Sequence, residues 1–141
     1  SSIAPCLQRV YKRVRRGILI VADSPTDTLL HVCRKRANYL RHQVETLNVL
    51  DPVVLLRYEL QIEQLTELLA DEHDLAGLLG RFNNDPALVA DIDLDPVLDA
   101  IGKKRHELQA MSIDIGREFF EDPSTDFLDY VEGIWGSGNT F

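Results

Sequence analysis

The residues best suited to bind a ligand lie in one short segment, residues 30–42, which reads LHVCRKRANYLRH. Its hydrogen-bond donors recur at the spacing of a helix face at His31, Arg34, Asn38 and Arg41, with Lys35 and His42 alongside. Guanidinium and ammonium groups in a row attract phosphate oxygens, and arginine binds them through two parallel hydrogen bonds. The segment therefore predicts a site for an anion.

The apolar residues of the same segment place these donors beside a buried seam. The seam residues follow one another at steps of three and four: Leu30, Cys33, Ala37, Leu40, Val44 and Leu47. Such spacing is typical of a helix that packs into the core of a bundle. Four of these donors follow one position later, at the rim of the seam, where like-charge repulsion and partial desolvation are costly. This cost indicates that an anion binds at the rim.

A second set of cations lies on the helix predicted for residues 3–22. Its members occupy positions i, i+3, i+4 and i+7 and so share one face: Arg9, Lys12, Arg13 and Arg16. The turn at residues 23–26 makes the first two helices antiparallel neighbours. We therefore expect the two basic faces to converge on one groove. Arg36 is offset around the second helix and is left outside the predicted site.

The charge of the chain is unevenly distributed. Its 141 residues carry a net charge of −8, which argues against a general nucleic-acid binder. Residues 1–41 nevertheless contain nine Lys and Arg against two Asp, a net charge of +7, and residues 42–141 carry −15. The local field decides what a cleft attracts. Only Tyr11 and Tyr39 fall near the basic patch, whereas binders of single-stranded nucleic acid interleave aromatic with basic residues.

The rest of the sequence predicts further helices and no strand. Thr26 or Asp27 caps the second helix, which runs to about residue 48, and Pro52 begins a long third helix. A fourth helix follows Pro96, and a short last helix runs from about residue 122 to 135. We predict an all-α fold, an up-and-down four-helix bundle with a short extra C-terminal helix. This domain covers residues 1–136, and residues 137–141 form a frayed tail.

The run Asp71-Glu72-His73-Asp74 suits two interpretations. Histidine and carboxylate side chains bind divalent metals, but ligands confined to one helical turn lack the separation that such sites need. His73 lies eleven residues after Ile62 and hence on the inward face. We therefore predict a buried His73 held by a carboxylate or by the basic helix opposite, with Asp71 and Asp74 in support of the anion site.

A basic run, the two cysteines and the lengths of the apolar runs further limit the possible functions. The basic run at residues 103–106 is predicted to face solvent. Cys6 and Cys33 lack metal-type spacing and form no disulfide framework, which favours a reduced, cytoplasmic setting. No apolar run approaches the ~20 residues that span a membrane.

Residues 30–42 resemble the signature helix of the CHAD family, the conserved histidine α-helical domain, whose motif reads roughly L-H-x-x-R-K-R-x-K-x-L-R-Y. The chain matches that motif at Leu30, His31, Arg34, Lys35, Arg36, Leu40 and Arg41. Residues 69–76, LADEHDLA, resemble the second motif of the family, L-G-x-x-H-D-L-A. Three positions depart from these motifs, with Asn38 for lysine, His42 for tyrosine and Ala70 for glycine. The family's domain contains two similar four-helix bundles around a basic channel, and this chain resembles the C-terminal one.

This resemblance implies non-catalytic binding of inorganic polyphosphate, or of another phosphorylated anion, without a cofactor. The implied binding residues are Arg9, Lys12, Arg13, Arg16, His31, Arg34, Lys35, Arg41 and His42, with Asp71, His73 and Asp74 in supporting roles. It also implies a cytoplasmic location, with polyphosphate granules as one site, and no sequence-specific nucleic-acid or membrane binding. Because only half of the family's domain is represented, we expect a homodimer or pairing with a second such half.

Two alternatives stay open at this point. The first is a metal-assisted phosphohydrolase that uses His31, Asp71, His73 and Asp74. The second is a structural helical module whose acidic faces recruit a protein partner. Loss of phosphate release on substitution of His73 would favour the first, and absence of polyanion binding at low salt would favour the second.

Overall fold

The computed structural model describes residues 3–47, 52–90 and 93–120. These residues form four α-helices: α1 (Ile3–Asp23), α2 (Asp27–Leu47), α3 (Pro52–Asn84) and α4 (Asp95–Phe120). A single 3₁₀ turn, Pro86–Val89, lies between α3 and α4, and the described ranges contain no strand. The prediction of an all-α fold is therefore confirmed. The predicted last helix, from Asp122 through Trp135, and the tail at 137–141 lie outside the described residues.

The start of α2 follows from local chemistry. The backbone N–H of Leu29 donates to the side-chain oxygen of Thr26 over 3.3 Å, and the N–H of Leu30 donates to the Thr26 carbonyl over 2.9 Å. Thr26, one of the two predicted capping residues, is thus the N-cap of α2 and satisfies a donor that a helix end leaves unpaired. Pro25 disfavours a helical conformation in the residue before it, so α1 ends at Asp23.

The four helices form a closed ring. Each helix packs against the next in the chain, and α1 also packs against α4. Residue numbers run in opposite directions across these contacts: Arg41 bonds to Thr66 whereas His31 meets His73. The same opposition holds between α1 and α4, where Tyr11 packs near Phe119 and Ile18 lies beside Gly116. The bundle is therefore antiparallel between neighbours, the up-and-down arrangement that the sequence predicts.

The core follows the seams of the helices. From α2 it contains all five described seam residues: Leu30, Cys33, Ala37, Leu40 and Val44. From α1 and α3 it contains Val14, Ile18, Val21, Ile62, Leu65 and Leu69. Burial also raises the pKa of the Cys33 thiol to about 11, which leaves this cysteine a packing residue.

Tyr11 belongs to this core and not to the basic surface. Only 1% of it is exposed, and its ring centroid lies 6.1 Å from that of Phe119. The expectation that Tyr11 lies near the basic patch is wrong, because the seam of α1 runs through position 11 and includes Val14 three residues later. None of the helices in the described ranges has an apolar stretch sufficient to span a membrane.

Candidate functional site

A groove between α1 and α2 brings together cations from both helices. It has a volume of about 370 Å³ and is lined by Arg9, Val10, Arg13, Lys35, Arg36 and Tyr39. Four of these six residues are cationic, two from each helix, and no acidic residue is among them. Three of the predicted binding residues, Arg9, Arg13 and Lys35, line this groove, together with Arg36, which the prediction left out.

Helical spacing explains why these side chains meet. Arg9 and Arg13 are four residues apart on α1, so they lie one above the other on the same face. Lys35 and Tyr39 have the same relation on α2. Because the two helices are antiparallel neighbours, the two faces form opposite walls of one groove. Arg36, left outside the site by the sequence, completes the wall on α2.

The cations of the groove are not neutralised within the described part of the chain. None of the four forms an ion pair with a described carboxylate; the described ion pairs involve Arg41, His42, Lys104 and Arg105. Charges of one sign gathered in a cleft focus the field outward and attract counter-ions. The positive potential of the groove therefore favours the binding of an anion.

The other predicted members from α1 lie outside this lining. Lys12 and Arg16 are exposed to solvent and do not line the groove. They share the basic surface of α1 and add to its positive potential.

Arg41 lies away from the groove and faces α3. Its Nη1 donates to the hydroxyl of Thr66 over 3.2 Å, and its Nε donates to Glu45 over 3.0 Å. Its Nη2 lies 3.7 Å from the carboxylate of Glu63. These partners largely compensate its charge. Glu45, four residues after Arg41, was the sequence signal for this pairing.

His42 is exposed and lies beside the same carboxylate. Its side chain is 76% exposed, and Nδ1 lies 3.5 Å from Glu45. Neither His42 nor Arg41 is brought to the groove between α1 and α2.

His31 and His73 meet on the other side of α2. Their ring centroids are 5.5 Å apart, and both line a second cavity of about 250 Å³ between α2 and α3. Burial of the ring lowers the pKa of His31 from its usual value, as do the positive charges of Lys35, Arg34 and His73. Nδ1 of His31 and Nε of the half-buried Arg34 are enclosed, and no described group hydrogen-bonds to either atom.

The prediction of a buried His73 is wrong. His73 is exposed, and Glu72 is the residue that is buried, with 3% of it exposed. The seam of α3 continues from Leu65 and Leu69 to position 72, since steps of four and three track one helix face. Asp71 and Asp74 are both exposed. Within the described ranges, no group of three or more His, Cys, Asp or Glu is arranged to hold a metal ion.

The prediction that the basic run at 103–106 faces solvent is wrong for Arg105. Its Nε donates to Glu72 over 2.9 Å, and its Nη2 donates to Asp27 at the start of α2. Sequence spacing could have revealed this role. Ile101 and Leu108 are buried on α4, and position 105 lies on the same face at steps of four and three.

Comparison of the chain with protein families, with curated proteins and with solved structures finds no match. The binding properties of the groove are therefore inferred from the side chains that line it. The groove offers guanidinium and ammonium donors at short spacing, together with one exposed aromatic ring. The cationic donors of this set suit the binding of phosphorylated anions, because arginine matches the geometry of phosphate oxygens.

Proposed function

We propose that this chain binds inorganic polyphosphate, or another phosphorylated anion, in the groove between α1 and α2, without catalysing a reaction. One observation carries the proposal: Arg9, Arg13, Lys35 and Arg36 line a single groove and form no ion pair with any described carboxylate. An anion there would replace repulsion between like charges with attraction.

The physics of such a site is electrostatic. Phosphate oxygens attract both guanidinium and ammonium groups, and a polyanion releases its condensed counter-ions when it binds. Affinity should therefore fall steeply as salt is added. The net charge of −8 does not oppose binding at this place, because the acidic residues are concentrated after residue 41.

The groove set differs from the set inferred from sequence. Arg36 joins it, whereas Arg41 is held by Glu45 and Glu63 and His31 lies against α3. We assign the primary contacts to the four groove cations. Lys12 and Arg16 contribute through their long-range field.

The resemblance to the CHAD family supports the same class of ligand. In that family a basic channel binds polyphosphate, and Lys35 and Arg36 both fall within the matching motif. Pairing with a second bundle and a cytoplasmic location stay predictions. Light scattering at high protein concentration tests the pairing, and a strict monomer would contradict it.

The decisive experiment reverses charges inside and outside the groove. Polyphosphate binding is measured by calorimetry at low salt for wild type, for Arg13→Glu with Lys35→Glu, and for a control, Arg81→Glu with Lys103→Glu. The control also replaces one arginine and one lysine by glutamate, so the net charge changes equally, but at exposed positions on α3 and α4. We expect the groove variant to lose about tenfold or more in affinity, with a shallower salt dependence, and the control to lose little.

Circular dichroism establishes that both double variants remain helical. Equal weakening in the two variants would show that the groove is not the site. Undiminished binding by the groove variant would overturn the assignment outright.

A further inference from the structure

The groove contains an aromatic ring that a purely inorganic ligand would not use. Tyr39 is 69% exposed, more than any other exposed large apolar side chain in the described ranges. It nevertheless lies among the four cations of the groove, with Val10 on the opposite wall. Exposed tyrosines beside cations are typical of sites that bind a ligand with both a charged and a planar part.

The groove is also short. Its lining spans residues 9–13 on α1 and residues 35–39 on α2. Five helical residues rise by only about 6 Å, so the four cations can neutralise only a short run of phosphates. A long polyphosphate would extend beyond them. The volume of about 370 Å³ lies at the lower end for pockets that hold small organic ligands.

We infer that the preferred ligand of this groove is a nucleoside polyphosphate, whose phosphate chain contacts the four cations while its base stacks on Tyr39. The inference rests on the proposed function, since it requires the groove to be an anion site. Stacking on an aromatic side chain tolerates any base, because every base has a π face. The lining accordingly predicts little discrimination between adenine and guanine.

The contribution of Tyr39 separates this ligand from inorganic phosphate chains. A bare triphosphate gains nothing from the ring, whereas a nucleoside triphosphate buries its base against it. Replacing Tyr39 should therefore weaken the nucleotide alone. Because Tyr39 is exposed, its replacement leaves the core of the bundle intact.

The test compares adenosine triphosphate with inorganic tripolyphosphate, in the presence of a chelator, by calorimetry at low salt. Wild type, Tyr39→Leu and Tyr39→Phe are measured with both ligands. We expect Tyr39→Leu to weaken adenosine triphosphate by about tenfold, equivalent to ~1.4 kcal/mol, and to leave tripolyphosphate unchanged. Tyr39→Phe keeps the ring and should bind both ligands as wild type does. Nuclear magnetic resonance should show magnetisation transfer between the adenine protons and the ring of Tyr39.

Each other outcome has a distinct meaning. If Tyr39→Leu leaves nucleotide affinity unchanged, or weakens both ligands alike, the nucleotide inference is overturned while the anion site stands. If wild type binds neither ligand at low salt, the proposed function itself fails and the inference fails with it.

Discussion

Nη2 of Arg105 lies 2.8 Å from the carboxylate of Glu72, across the interface between α3 and α4. Only 3% of Glu72 is exposed, and it accepts a further hydrogen bond from Gln109 over 3.1 Å. Arg105 also pairs with Asp27 at the start of α2, so one guanidinium joins three helices. Burial acts to lower the pKa of Arg105, but the hydrogen bonds and charges of Asp27 and Glu72 outweigh it and raise the pKa.

Removal of Arg105 should destabilise the bundle. Arg105→Met leaves the carboxylate of Glu72 buried without its cation, a change that typically costs about 3 kcal/mol or more in the free energy of unfolding. Urea denaturation followed by circular dichroism measures the loss. Lys104→Met is the control, since Lys104 forms an exposed pair with Glu107 and its replacement should change the free energy of unfolding by less than ~1 kcal/mol.

The double variant Glu72→Gln with Arg105→Met tests the cause of that loss. Removing the buried charge should recover part of the stability that Arg105→Met loses. If Arg105→Met proves no more harmful than Lys104→Met, the network does not stabilise the fold.

Removal of one positive charge should affect binding on the groove side of α2 and stability on the side that faces α3. Lys35→Gln removes a groove cation and should weaken polyphosphate binding by about threefold or more at low salt. Arg41→Gln should leave this affinity nearly unchanged, because Arg41 faces α3, but should lower the free energy of unfolding by ~1–2 kcal/mol through its lost bonds to Thr66 and Glu45. Calorimetric binding and urea denaturation of both variants check the contrast. Weaker binding by Arg41→Gln than by Lys35→Gln would contradict the assignment of the groove.

His31 should make stability depend on pH in one direction. Burial and nearby positive charges hold the pKa of His31 below its usual 6.5, so the folded state resists protonation more than the unfolded state does. Below about pH 6.5 the unfolded chain binds a proton that the folded chain does not. The free energy of unfolding therefore decreases as the pH is lowered. His31→Gln should therefore flatten the decline in unfolding free energy between pH 7 and the folded pKa.

His106→Gln provides the comparison for this measurement, since His106 is exposed on α4. Urea denaturation of the three proteins at several pH values between about 5 and 7.5 covers the relevant window. An identical pH profile for wild type and His31→Gln would refute the role assigned to this half-buried imidazole.

Two glycines of α4 should respond oppositely to alanine. A Cβ at Gly116 would lie 2.8 Å from Cδ1 and 3.0 Å from Cγ1 of Ile18, a buried residue of α1. Gly116→Ala should therefore cost about 1–3 kcal/mol, because α1 or Ile18 must shift. Gly102→Ala meets no atom within 4 Å and should stabilise the helix by up to ~1 kcal/mol. Thermal unfolding of the two variants measures both effects, and a stabilised Gly116→Ala would argue against the close packing of α1 on α4.

The helices and their buried faces were predictable from sequence because both depend on local order along the chain. Thr26 caps α2, and the apolar steps from Leu30 to Val44 lie in the core. Helical periodicity determines which residues share a face, whatever the neighbouring helix. For the same reason, Arg34 and Arg41, one position after seam residues, are half-buried.

Only the tertiary structure decided which neighbour each charge meets. The seam of α2 has two rims, because α1 and α3 pack on opposite sides of this helix. Lys35 and Arg36 lie on the rim beside α1 and line the groove. Arg41 and His31 lie on the rim beside α3, where Arg41 pairs with carboxylates and His31 contacts His73. The phase of α3 puts position 72 on the buried face, but α3 alone does not show which cation meets the charge of Glu72, because Arg105 comes from α4 thirty-three residues later in the chain. The free energy of a buried charge depends on partners that are distant in sequence, and no periodicity within one helix encodes them.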